Sequence, residues 1–430
     1  MPHFLMIGGF GAVVLAGWTL HKSLYAPSTI LGIVWLLLAT GHFFLADDFY
    51  VNMPVAVLSV LHLAAFLLGD FTGSLIVHFA RGTRRSPDRQ GQGDVRQSRL
   101  KLVILGLGLI SLIGTAAYFW IFLAHFGSLN GLLSAGWQVR EDIGAGLINV
   151  PLPIRMAMLC GYSVHLLALY YWLRFGLTWM LAIGPACILL SGITQSGRAG
   201  TLIIVLMWIS AYLWRGMIVR RIGLPRLLRG AAAGVVLCGS IFVIGMLYRS
   251  QAQRDVITSD DVYREAKIYA LGGLSGLASF LDDPPKNHVP GHGAYSFASL
   301  AQLLGVQSFV FGIYEEYYPV SKVGSELQSS TNVYTWLRPA TDDFGYLGAL
   351  TYFFAMGALV AAIYRLARLG RDWAVPVTLC FMTILMFSVF AALTQHTSIL
   401  AALFLPAILV RLCTREVTAV SAARSPGGGK

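Results

Sequence analysis

Apolar runs of about 20 residues recur along almost the whole chain, and each can cross the roughly 30 Å hydrocarbon layer of a bilayer. Eleven candidates stand out: 4–20, 28–46, 54–78, 102–124, 152–173, 177–194, 199–214, 230–248, 344–364, 374–394 and 398–411. In lipid every backbone N–H and C=O needs an internal partner, so apolar segments of this length become helices. The expected fold is an all-α polytopic integral membrane protein with about 11 transmembrane helices and one large outer loop containing short helices. Composition agrees. Hydrophobic residues make up 56% of the 430 positions and charged residues 12%, about half the share found in soluble domains.

Charge then orients the bundle. The loop RGTRRSPDRQGQGDVRQSRLK (81–101) is basic and polar, which places it in the cytoplasm. With eleven crossings, 21 of the 31 Lys and Arg fall on that side and 15 of the 20 Asp and Glu fall on the other. The net charge of +11 thus reads as basic cytoplasmic loops, and no nucleic-acid-binding pattern competes with that reading. No Lys or Arg precedes the first apolar run, so it reads as a retained helix and not as a cleaved leader. Cys160, Cys187, Cys238, Cys380 and Cys413 lack CxxC spacing and read as free thiols.

The expected organisation is a first bundle over 1–248, an outer loop over 249–343, three more helices over 344–411 and a cytoplasmic tail over 412–430. A loop of about 95 residues is long enough to be functional or partly folded. Within it, 262–283 and 296–319 read as helices and 282–295 as turns. Asp70, in the third apolar run, reads as a structural group near the inner end.

The outer face carries arginines that the positive-inside pattern disfavours: Arg140, Arg155, Arg198, Arg249, Arg254, Arg264 and Arg338. Guanidinium groups bind phosphate bidentately and stay charged. Arg198, Arg249, Arg254 and Arg338 are therefore candidates for holding a pyrophosphate. Arg198 sits in the short turn GITQSGRAG (192–200), where a helix N-terminus adds donors. A snorkelling arginine on ordinary lipid phosphate is the alternative there. In TNVYTWLRPATDDFGYLG, Asp342 or Asp343 would cap the ninth helix and pair with Arg338, or aim a carboxylate at a site. Asp343, Asp342, Glu315 and His292 are all candidates for a general base, and spacing does not choose among them. Tyr314, Tyr334 and Trp336 offer ring faces on which sugars stack. His288 and His292 are four apart, but Pro290 and Gly291 between them argue against a helix and hence against a metal site. No metal and no cofactor are expected.

The segments SGRAG, YALGGLSGLASFLDD, VPGHGAYSFASLAQLLG and TNVYTWLRPATDDFGYLGALTYFFAMG resemble the oligosaccharide repeat-unit polymerases, the Wzy-type O-antigen polymerases of bacterial inner membranes. The resemblance covers roughly 190–395, and the first 180 residues match in hydropathy alone. It implies a GT-C-like glycosyltransferase bundle with its active site facing the periplasm. It implies as donor and acceptor an oligosaccharide on undecaprenyl pyrophosphate, with membrane lipids and a polysaccharide chain-length regulator as partners and no nucleic acid. It matches Arg198 to the arginine of the short turn, and Arg338 and Asp343 to the arginine and aspartate of the last motif. The competing functions are an O-antigen ligase, which shares the donor, and a lipid-linked oligosaccharide flippase or other transporter, which would carry repeated halves.

Overall fold

The computed structural model describes residues 1–82, 94–135, 138–194, 199–216, 258–284, 291–303, 317–322, 329–331 and 334–415, together with positions 225, 229, 232 and 236. Among the described residues six helices are long and apolar enough to cross a membrane. They are α1 (Pro2–His21), α2 (Pro27–Leu45), α3 (Met53–Gly82), α4 (Gln97–Phe126), α7 (Leu152–Phe175) and α12 (Leu337–Arg368). Between α4 and α7 lie two seven-residue helices, α5 (Leu129–Ala135) and α6 (Gln138–Gly144). Four expected spans are shorter apolar helices. One of them starts with a 3-10 turn at Trp179–Ala182 and continues as α8 (Ile183–Thr194). The others are α9 (Ala199–Trp214), α13 (Ala374–Phe387) and α14 (Thr397–Cys413). The expected span at 230–248 lies outside the described residues. Cys160, Cys187, Cys380 and Cys413 are all unbonded.

The segment expected as the large loop contributes α10 (Ser259–Asp282) and α11 (Ala298–Leu303). Thr258 starts α10 through a capping box with Asp261, which satisfies two donors that a helix start leaves open. This agrees with the helix expected at 262–283. The helix expected over 296–319 does not fill those bounds among the described residues, and 304–316 lie outside them. Residues 292–297 are turns, α11 is six residues long, and 318–319 form a strand, β2 (Tyr318–Pro319), paired with β3 (Ser330–Thr331). Pro319 has no N–H and cannot continue a helix.

Contacts sort the termini of the helices into two ends. At one end β1 (Asp94–Val95) pairs with β4 (Thr414–Arg415), Arg174 lies 3.9 Å from Asp372, and Arg368 donates to the His21 carbonyl at 3.5 Å. These are the segments whose loops carry most of the lysines and arginines, so this is the basic end. At the opposite end the 46–52 loop, α10 and β2 meet. Tyr50 donates to Asp282 at 2.6 Å, Asn52 donates to Asp282 at 2.8 Å, and Lys267 pairs with Asp48. The bond to Asp282 raises the Tyr50 phenol above its usual pKa.

The closest helix contact is between α3 and α12. A Cβ at Gly69 would lie 2.0 Å from the Phe354 carbonyl oxygen, one at Gly73 2.1 Å from that of Ala358, and one at Gly357 2.1 Å from that of Phe66. Two membrane helices gain little from the hydrophobic effect when both already face lipid, so small residues that let backbones touch supply the attraction. Near the basic end of α3, Asp70 accepts from His21 at 2.7 Å and from the Ser28 backbone at 3.1 Å. Both side chains are 0% exposed. Asp70 is thus paired inside the bundle near that end.

Gly69→Leu and Gly73→Leu should each force the two helices apart, lowering the melting temperature in detergent more than Gly106→Leu, which meets nothing within 4 Å. Overpacking of this kind costs about 1–3 kcal/mol or more. Asp70→Ala should cost about 3–5 kcal/mol by stranding His21, and the double variant His21→Leu/Asp70→Leu should be less destabilised than Asp70→Ala alone. Thermal unfolding followed by size-exclusion chromatography measures both.

Candidate functional site

The stretch around Arg338 starts a helix but is not continuous with the membrane-crossing part. Within α12, Gly345 has φ 63° and ψ −178°, a break between 337–344 and the helix beyond it. Only glycine adopts that backbone region at low cost. The first segment is therefore free to turn inward, and all of Leu337 to Asp343 are buried.

Arg338 is 1% exposed. Its guanidinium carbon lies 3.9 Å from the Tyr334 ring centroid, 4.3 Å from that of Phe280 and 5.2 Å from that of Tyr318. Nε is 3.5 Å from Asp342 Oδ2, one helical turn on. The rings also pack edge-on, Phe280 to Tyr318 at 5.7 Å and Tyr318 to Tyr334 at 6.2 Å. Three segments far apart in the chain thus close on one cation. Cation–π contacts contribute about 0.5–2 kcal/mol each, more when water is excluded.

Asp343 faces a different partner. Its Oδ1 accepts from the Tyr295 backbone at 3.0 Å and its Oδ2 accepts from the Ser296 backbone at 2.5 Å. Gly291 donates to the Asp342 carbonyl at 3.3 Å, and Thr394 donates to the Ser296 carbonyl at 2.8 Å. Asp343 was expected to cap a helix or to aim its carboxylate at a site, and here it accepts from two backbone donors of another segment. The helix has Trp336 at its start with no side-chain cap, and the Asp343 carboxylate instead clasps the 291–297 turn. His292 stands exposed on that turn with φ 49°.

Trp336 is fully buried, donating to the Tyr352 hydroxyl at 3.1 Å and packing 4.9 Å from the Phe353 ring. Tyr334 is buried against Arg338. Neither ring offers a face to solvent in this arrangement. Arg198, Arg249, Arg254, Glu315, Tyr314 and His288 lie outside the described residues. Of the sequence-derived candidates the structure brings together Arg338, Asp342 and Tyr334, with Asp343 next to them and His292 on the turn that Asp343 holds.

Two contributors were not singled out from the sequence. Phe280 lay within YALGGLSGLASFLDD, but nothing in that segment marked this ring as a partner for Arg338. The 46–52 loop, ADDFYVN, carries two adjacent acids and a tyrosine, a signal that short turns often carry without meaning. It docks on α10 and on Val320, whose carbonyl accepts from the Tyr50 backbone at 2.8 Å. Among the described residues no group of three His, Cys, Asp or Glu could hold a metal ion. Comparison of the chain with protein-family models, with curated proteins and with solved structures returns no match.

Asp343→Asn keeps the shape but leaves one of two buried backbone donors without an acceptor, a cost of about 1–3 kcal/mol. Amide hydrogen exchange at Tyr295 and Ser296 should rise in that variant, while exchange in α3 stays unchanged.

Proposed function

We propose that this protein polymerises lipid-linked oligosaccharide repeat units into a surface polysaccharide, at the end of the bundle opposite the basic loops. By the positive-inside pattern that end faces away from the cytoplasm of a bacterial inner membrane. The observation that carries the reading is the convergence of α10, β2 and the 291–297 turn on the Arg338–Asp343 segment, the same stretch that carries the resemblance to repeat-unit polymerases.

In the reaction, a hydroxyl of the acceptor sugar attacks the anomeric carbon of the donor glycan. The new C–O bond forms as the bond from that carbon to the lipid pyrophosphate breaks. The pyrophosphate departs with the bonding pair, and the hydroxyl proton passes to a base. Fixed cations stabilise the leaving charge. Arg198, Arg249 and Arg254 are the proposed pyrophosphate contacts. Arg338, enclosed by rings, is proposed as a positioning residue that holds the outer segments over the mouth. Asp343 is committed to two backbone donors and Asp342 lies beside a guanidinium. His292, exposed on the turn, is therefore the base we favour among the described residues, with Glu315 as the other candidate. The aromatic residues Tyr314 and Tyr317 are proposed as sugar-stacking surfaces.

The test is a gel of surface polysaccharide from a deletion strain complemented with variants. Arg198→Ala and Arg338→Ala should lose the ladder and leave core plus a single repeat unit. His292→Gln should shorten it, since a general base contributes about 10²–10⁴-fold. A ladder of normal length from both arginine variants would end the proposal. Accumulation of long lipid-linked polymer with none on the core would point to ligation instead.

A further inference from the structure

Three helices meet on a chain of hydrogen bonds at the end opposite the basic loops. His3, in the first turn of α1, shares a hydrogen bond with His42 of α2, Nε2 to Nδ1 at 3.0 Å. The other ring nitrogen of His42, Nε2, bonds the Ser275 hydroxyl of α10 at 3.0 Å. His42 and Ser275 are fully buried, and His3 is partly exposed at the edge. Gly41 makes room for this approach, since a Cβ there would lie 3.1 Å from Leu271, one turn before Ser275.

The imidazole pair limits how many protons the junction can hold. Two ring nitrogens in contact share one hydrogen. With the pair neutral, or with one proton added to either ring, one nitrogen donates, the other accepts, and His42 still bonds Ser275. With both rings protonated, both facing nitrogens carry hydrogen and the bond is lost. Parted and hydrated, each ring takes a proton near the ordinary histidine value of about 6.5. Parting the rings in acid therefore takes up at least one proton more than the closed pair holds, so the closed junction weakens as pH falls below that value. The charges facing the pair are Lys267 and Asp48, which pair with each other, Lys322, which donates to the Asp47 carbonyl, the Asp47 carboxylate and the Met1 amine. Lys267 lies over the Phe49 ring, which packs 6.0 Å from His42. Three cations against two carboxylates add to the cost of a second proton.

We propose that His3 and His42 form a pH-sensitive latch between α10 and the bundle, closed at neutral pH and released by acid. The bonds from Tyr50 and Asn52 to Asp282 and from Ser279 to the Pro319 carbonyl involve no imidazole. Release is therefore confined to the stretch around Leu271 and Ser275. Gly273 lies in that stretch, where a Cβ would sit 3.1 Å from the Val389 carbonyl oxygen and 3.4 Å from Thr335. The latch thus bears on the backbone that leads into Arg338, and it does so whatever reaction that end of the bundle carries out.

Hydrogen exchange of the purified full chain in detergent at pH 7.5 and 5.5, corrected for the intrinsic pH dependence of exchange, tests this. Protection across 268–276 should fall about tenfold or more at pH 5.5, because each proton taken up on opening shifts the equilibrium about tenfold per pH unit below about 6.5. Protection in α4, which has no part in the junction, should hold. His3→Gln, at a partly exposed position, supplies an amide that can donate or accept but does not titrate, so 268–276 should be protected equally at both pH values. Equal protection of the wild type at both pH values would overturn the proposal. The same loss in His3→Gln would overturn it too, by assigning the effect to another group. A matching loss in α4 would also overturn it, because the opening would then be global.

Discussion

Backbone-to-backbone contact between the helices at 53–82 and 337–368 sets the geometry of both ends of this molecule. Gly69, Gly73 and Gly357 allow it, because any side chain there would meet a carbonyl oxygen at about 2 Å. Dispersion between two close backbones replaces the hydrophobic effect, which is weak between surfaces already in lipid. Toward the basic end the contact places Tyr364 against His21, ring to ring at 5.6 Å, and Arg365 within 3.4 Å of Ser74. Toward the other end it sets Phe353 5.0 Å from His62.

The Arg338 segment shows how a buried cation can organise distant parts of a chain. A guanidinium taken out of water is costly unless charge or ring electrons surround it. Here Asp342 and three rings do so, and the rings belong to α10, to β2 and to the stretch before α12. Removing the cation would leave those rings without a common centre. The Asp343 clasp on the 291–297 turn and the Asp282 clasp on the 46–52 loop add hydrogen bonds in the same region. The 291–297 turn and the 46–52 loop are therefore each tied down by a carboxylate from a different helix end.

Much of the architecture was legible from hydropathy. Among the described residues ten expected spans coincide with helices, six of them of membrane-crossing length, and the eleventh, at 230–248, lies outside those residues. The apolar period marks where a segment is buried in lipid or protein, and it does not distinguish a full crossing from a shorter helix packed inside the bundle. The helix expected at 262–283 was visible in its mixed helical periodicity and is observed at 259–282. The break at Gly345 was not, because DDFGYLG reads equally as a capped start or as an interrupted helix. The clustering of Arg338 with Asp342 followed from their spacing, since residues four apart share a helix face.

What the amino-acid order determined by itself is the class: long apolar runs with satisfied backbones, a charge asymmetry that gives the bundle two unlike ends, and a long polar segment gathered in one place. Tertiary structure decided the rest. Whether Arg338 faces solvent or rings depends on Phe280 and Tyr318, which lie 58 and 20 positions upstream in the chain. Whether Asp343 caps its own helix or clasps a turn depends on where residues 295 and 296 come to lie. Local pattern carries no record of such pairings, because the attraction between groups distant in sequence acts only after the helices have packed.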